Sequence, residues 1–245
     1  MNKEKSDINT FLKQQRKKLK DIENPIKSFD GLNSYPLNAF QCLYVHNFQS
    51  STITYQKGVF EFLGYTPEEF NSQLAHSYFH PDDKETVLRI IQAAVGYAVD
   101  HGLCKNGHLY LTYRLRKKNG EYIKVLRQSN IFEVDKNGRL ISNMSLLTDI
   151  SYMNTSNCVE WKFDAKGIDQ EAFKKYVGHQ YENYFSPREL EIISGINRGL
   201  NSEEIGNLHF ISKHTVDTHR RNILKKAGCK NSIELISFCR QNGVI

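Results

Sequence analysis

The sequence predicts an α+β protein: an antiparallel five-stranded sheet with flanking helices in the middle of the chain, then an all-α unit of four helices. Three observations carry this. Leu109, Leu111, Tyr113 and Leu115 alternate with Tyr110, Thr112, Arg114 and Arg116, the period-two pattern of a strand with one buried face. Asn119-Gly120 and Asn137-Gly138 separate such runs at hairpin spacing. Beyond residue 185, helix-start signatures recur before short apolar-periodic segments, with glycines at the stops.

A chain of 245 residues with 39% hydrophobic content is long enough for two small cores. Its net charge of +6 sits at the ends: residues 1–30 carry eight Lys/Arg against five acids and residues 186–245 nine against six, around a balanced middle. Charge alone reads as solvated faces. Cys42, Cys104, Cys158, Cys229 and Cys239 are odd in number and never form a C-x-x-C pair, which suggests neither a disulfide framework nor a thiolate zinc site. They read as reduced, packed thiols of a cytoplasmic protein. The charged start MNKEKSDINTFLKQQRKK lacks a signal-peptide core, and there is no run of ~18 apolar residues, so neither export nor membrane anchoring is expected.

Taken in order, Ile8, Leu12, Gln15, Leu19, Ile22 and Ile26 alternate steps of four and three up to Pro25, an amphipathic helix within residues 1–30. A seam of this length fits a helix lying on its own domain as well as a dimer contact. AFQCLYV and TITYQ read as strands, and FHPDDKETVLRIIQAAVGYAVDHGL as a long helix to about Leu103, with His80 at its entry, Pro81 first and acids in its opening turn. Three hairpin-linked strands follow, the second YIKVLRQSNIFEV and the third RLISNMSLLTDI; a type I′ turn at each Asn-Gly would need positive φ at both residues. Residues 151–184 read as a structured connector with one further strand near Val159 to Phe163 and a helix burying Phe173, Tyr176 and Val177.

Across residues 31–150 this order, with YQKGVFEFLGYTPEEF, FHPDD, YRLRKKNGEYIKVL and LLTDIS, resembles a PAS domain. The resemblance implies a sensory or dimerisation role and leaves the cofactor unknown among haem, flavin, a small metabolite and none; no cysteine stands between Phe62 and Phe79 for photoreactive flavin chemistry. A small-molecule ligand in an apolar pocket and a dimerisation module are the two readings.

In residues 185–245, Ser186-Pro187-Arg188-Glu189 spells a capping box with Pro first, and Asn201 to Glu204 and Asn231 to Glu234 repeat its logic. Ser212 starts a further helix, while Gly199, Gly228 and Gly243 stand at the stops. Leu190, Ile193, Ile196, Ile205, Leu208, Val216, Ile223, Ala227, Leu235, Ile236 and Cys239 are expected inward, and Gly206 is expected to permit close approach of the following helix. His209 to Ser212 has the length of a helix-turn-helix joint. With Val216, Ile223 and Ala227 inward, His214, Asp217, Thr218, Arg221 and Lys225 fall on the opposite side, flanked by Lys213, Arg220 and Lys226 within reach of phosphates.

FSPRELEII, GLNSEEIGNLHFISKHTVDTHRRNILKKAG and RQNGVI resemble the LuxR-type helix-turn-helix along its whole length. This implies a recognition helix at 212–226, base reading by Asp217, Thr218 and Arg221, and backbone contacts by Lys213, Thr215 and Lys225. The residues themselves add Asn201, Ser202 and Ser212 at helix N-termini and the Arg220 cation. The resemblance also makes the last helix a dimer contact, with Leu235 and Cys239 the candidates. Asp217 stands where many relatives carry Lys; it either accepts from cytosine N4 or pairs with Arg221 at i, i+4, and Arg221 suits guanine. No nucleophile, base and orienting residue group together, no phosphate-binding glycine loop occurs and nine histidines lack ligand spacing, so no enzyme and no metal site are expected. The expected protein is a transcription regulator binding double-stranded DNA as a homodimer; the alternative is a ligand-binding or scaffolding protein whose helical tail mediates protein contacts.

Overall fold

The computed structural model describes residues 8–20, 28–72, 74–101, 107–153, 158–165, 169, 173, 176–178 and 181–245. Ile22, Pro25, Ile26, Leu103, Cys104 and part of the expected connector helix lie outside these residues, while of that helix's expected inward residues Phe173 and Val177 are buried and Tyr176 is half-buried.

The elements run α1 (Ile8–Lys18), α2 (Asp30–Asn33), β1 (Gln41–Asn47), β2 (Thr52–Lys57), α3 (Val59–Leu63), α4 (Pro81–His101), β3 (His108–Arg116), β4 (Tyr122–Val134), β5 (Leu140–Asp149) and β6 (Glu160–Asp164). Four helices follow: α5 (Pro187–Asn197), α6 (Ser202–His209), α7 (Lys213–Ala227) and α8 (Ser232–Gln241). The sheet is antiparallel in the order β2-β1-β5-β4-β3-β6, six strands where the sequence predicted five. The sixth is the expected connector strand, which pairs along β3 from His108↔Asp164 to Thr112↔Glu160. Leu109, Leu111, Tyr113 and Leu115 are buried as their alternation requires.

Both Asn-Gly turns differ from expectation. Gly120 and Gly138 have positive φ, of 92° and 76°, but their asparagines do not. Lys117 N–H donates to the Glu121 carbonyl at 2.8 Å and Asp135 N–H to that of Arg139 at 2.9 Å, so each loop has three residues ending in a left-handed glycine. That is the other common hairpin closure, and it uses the same dipeptide.

α1 lies on its own domain, packed along α4, with Ile8, Phe11, Leu12, Gln15 and Leu19 buried and Lys18 Nζ 2.5 Å from Asp100. Its apolar side helps close a cavity of about 80 Å³ over the sheet, reached also by Tyr44, His46, Tyr113 and Arg127. Burial, with the nearby Arg127 cation, pushes His46 down to about 3. The Arg127 guanidinium donates to Ser129 and Ser145 at 2.9 and 3.2 Å and lies over the Tyr44 ring.

At the entry to α4, the His80 carbonyl accepts from Asp83 and Lys84 N–H, and its Nδ1 faces the Asp82 N–H at 3.2 Å. Asp83, on the first turn, is 1% exposed. Its carboxylate accepts from the Arg114 backbone N–H at 2.7 Å and from the guanidinium at 2.5 to 3.2 Å, which fastens α4 to β3.

Candidate nucleic-acid interface

The four terminal helices start where their caps place them. Ser186 and Asn201 each form a complete capping box, with Glu189 and Glu204 respectively. Asn231 accepts from the Glu234 N–H, but the Glu234 side chain turns to the Lys230 N–H at 2.7 Å, so this third box is only half made. Ser212 caps α7 through the Thr215 N–H at 3.1 Å, and Gly199, Gly228 and Gly243 all adopt positive φ.

The turn between α6 and α7 rests on Gly206. A Cβ there would stand 2.6 Å from the Ile211 carbonyl oxygen and 3.5 Å from the Lys213 nitrogen, both backbone atoms. The missing side chain therefore makes room for the turn as well as the helix. Gly206→Ala should cost about 1 to 2 kcal/mol, an overpacking strain partly offset by alanine's better helix propensity. The check is the melting of the helical unit, and an unchanged melting temperature would remove Gly206 as the determinant of this approach. Phe210 closes α6 in the left-handed region at φ 56°, with its ring 95% exposed, a feature the sequence reading missed.

Ile193, Ile196, Ile205, Val216, Ile223, Ala227, Leu235 and Cys239 are buried, and Ile236 is half-buried against them. Leu190 and Leu208 are exposed instead. On α5 the inward arc runs through Ile192, Ile193, Gly195 and Ile196, one position round from Leu190. A Cβ on Gly195 would lie 2.7 Å from the Ile205 side chain, so α5 and α6 close on each other there.

On α7 the side away from this core carries His214, Asp217, Arg221 and Lys225, all exposed, with Lys213 at its start and the half-buried Thr215 and Thr218 at its margin. Thr218 Oγ1 donates to the His214 carbonyl at 3.0 Å. No ion pair joins Asp217 to Arg221 among the described residues, so the orienting reading of Asp217 is not realised in this conformation. The N-termini of α6 and α7, at Asn201, Ser202 and Ser212, complete the surface.

Two of the expected cations are engaged within the protein. Arg220 bridges Ser202 and Ser232 at 3.1 and 3.2 Å, tying the starts of α6 and α8 together. Lys226 is held 2.9 Å from Glu189 and over the Tyr184 and Phe185 rings, not turned outward towards a phosphate. Lys226 and the Ser186 backbone hold Glu189 below the usual carboxylate range despite its partial burial.

Leu235 and Cys239 are fully buried in the helical core, which corrects their assignment as dimer contacts: α8 turns them towards its neighbours in the same chain. The outer face of α8 carries Ile233, 83% exposed, with Ser237 and Arg240.

The C-terminal end of α7 packs on α4. Tyr184 O–H donates to the Lys226 carbonyl at 2.6 Å and stands 3.5 Å from Thr86, while the Arg89 guanidinium lies 5.0 Å from its ring centre. Trp161 in β6 donates to Asn242 at 2.8 Å. These contacts seat the helical unit on the sheet domain and leave the charged side of α7 uncovered. No described helix is long and apolar enough to cross a membrane.

Residues 52–145 match the family model of the PAS fold, and residues 183–239 that of the bacterial regulatory proteins of the luxR family. The uncharacterized response regulatory protein YgeK of Escherichia coli is 37% identical over 82 residues, 34% of this chain and 54% of that protein. The uncharacterized transcriptional regulatory protein YxjL of Bacillus subtilis is 34% identical over 61 residues, 25% of this chain and 28% of that one. The matches thus span about half, or less, of the length of these relatives. A solved Vibrio cholerae VqmA dimer is similar over 90% of this chain and 89% of its own, at 14% identity and a TM-score of 0.37.

Proposed function

We propose that this chain, which matches the PAS fold over residues 52–145 and the luxR family of bacterial regulatory proteins over residues 183–239, is a transcription regulator that reads the DNA major groove through α7. The observation that carries this reading is the exposure of His214, Asp217, Arg221 and Lys225 on one side of a capped helix whose other side is core. Arg221 is assigned to guanine and Asp217 to a cytosine N4, with Thr218 beside them. Lys213, Thr215 and Lys225, with the helix starts at Asn201, Ser202 and Ser212, approach phosphates, and Arg220 joins them if it exchanges a serine partner for one.

The functional unit in this proposal is a homodimer on half-sites about one helical turn apart, joined along the outer face of α8 around Ile233. The cavity over the sheet is assigned to a small ligand, because its buried polar atoms, among them Arg127, are more than a plain apolar core requires.

A binding-site selection on the full chain tests the proposal. It should enrich a two-fold symmetric site, with log affinity falling linearly against log salt at a slope of about −0.9 per neutralised phosphate. No enriched sequence, or an affinity indifferent to salt, would favour a scaffolding role for the helical unit.

A further inference from the structure

Cys158, just ahead of β6, and Cys229, just after α7, are 71 residues apart in the chain and adjacent in space. Glu234, on the first turn of α8, completes the group. The two thiol sulfurs and a carboxylate oxygen all lie within 4.8 Å of one another, and Cys158 Sγ is 3.2 Å from Glu234 Oε2. Four ligands around zinc, at about 2.3 Å for sulfur and 2.0 to 2.2 Å for oxygen, stand roughly 3.4 to 3.8 Å apart, so the group needs only a small contraction to share an ion. Both cysteines are buried.

Its surroundings suit an ion as well. The Lys230 N–H, 2.7 Å from Glu234 Oε2, fixes the carboxylate as an outer hydrogen bond should. Lys124 Nζ, 2.8 Å from the Cys158 carbonyl, sets a cation beside a ligand set that would retain one negative charge. The Gly228 carbonyl, 3.3 Å from Cys158 Sγ, adds a further oxygen.

We propose that Cys158, Cys229 and Glu234 bind a thiophilic divalent cation of the zinc class and so pin the end of α7 and the start of α8 to the sheet domain. Entry of the ion releases two thiol protons to solvent; two thiolates and the carboxylate supply three ligands, and water or the Gly228 carbonyl the fourth. Disulfide formation is the competing chemistry of a close thiol pair. It removes two electrons and so requires an oxidant, whereas binding a cation requires only that the two thiols lose their protons. The site is independent of DNA recognition, so its failure leaves the regulator reading untouched.

The test uses the full chain, reduced and stripped of metal, titrated with Co²⁺ as the spectroscopic probe. One equivalent should produce thiolate-to-cobalt charge-transfer absorption in the near ultraviolet, which Zn²⁺ then abolishes. Cys158→Ser and Cys229→Ser should each remove the band, Cys42→Ser should keep it, and the isosteric Glu234→Gln should weaken Co²⁺ binding at least tenfold. Zn²⁺ should raise the melting temperature of the unaltered chain and not that of Cys229→Ser. Absence of the band in the unaltered protein overturns the site, and so does undiminished Co²⁺ affinity in Glu234→Gln. Where a serine variant melts abnormally without metal, the Glu234→Gln titration decides.

Discussion

Asp83→Ala should destabilise the protein by about 3 kcal/mol, because it leaves the guanidinium of Arg114 largely buried without a counter-charge. The carboxylate is wholly enclosed and accepts from both the backbone and the side chain of Arg114, whereas Arg114 keeps 19% of its side-chain surface exposed. That residual exposure places the cost near the lower end for a broken buried pair. Asp82, 3.9 Å from the same guanidinium, is too far and too exposed to replace it. For a chain of this size the loss corresponds to a fall in melting temperature of roughly 6 to 12 °C, measurable by circular dichroism. A fall of under about 2 °C would show that the pair does not hold α4 to β3.

Arg221→Ala should lower affinity for the selected operator by roughly ten- to a hundredfold for each half-site, the worth of a bidentate guanine contact at about 1 to 3 kcal/mol. It should also flatten base preference at one position in each half-site, since an exposed arginine with no partner among the described residues reads a base without first breaking a contact with one of them. Lys225→Ala is the comparison. A phosphate contact carries no sequence information, so this variant should weaken operator and random duplex alike. Competition binding with both duplexes separates the two, and equal losses for both variants on both duplexes would remove Arg221 as a reader.

The hairpin strands and helix starts were legible because each is set by neighbours within a few residues. Alternation fixed the buried side of β3, and Ser186, Asn201 and Ser212 marked their helices because an N-cap answers a local need for hydrogen-bond acceptors. The Asn-Gly turns were placed correctly and typed wrongly, since two- and three-residue loops both favour that dipeptide. Leu190 and Leu208 were misjudged because apolar identity does not decide which arc of a short helix faces the core when glycines at 195 and 206 draw the helices together. The exposed face of α7 followed from the periodicity of Val216, Ile223 and Ala227. What local pattern does not encode is contact between distant segments: the pairing of β6 with β3, the Tyr184 bond to the end of α7, and the meeting of Cys158 with Cys229.

β6 gives the molecule a mechanical continuity that a pair of beads on a string would lack. The strand belongs to the sheet by its ladder to β3, yet its Trp161 indole is bonded to Asn242 near the far end of the helical unit, and the Gln241 amide reaches the Trp161 carbonyl. The strand is therefore bonded at once to β3 and to the end of the last helix. The two halves of the chain are joined through one extended segment, with an indole N–H as the fastening on the helical side.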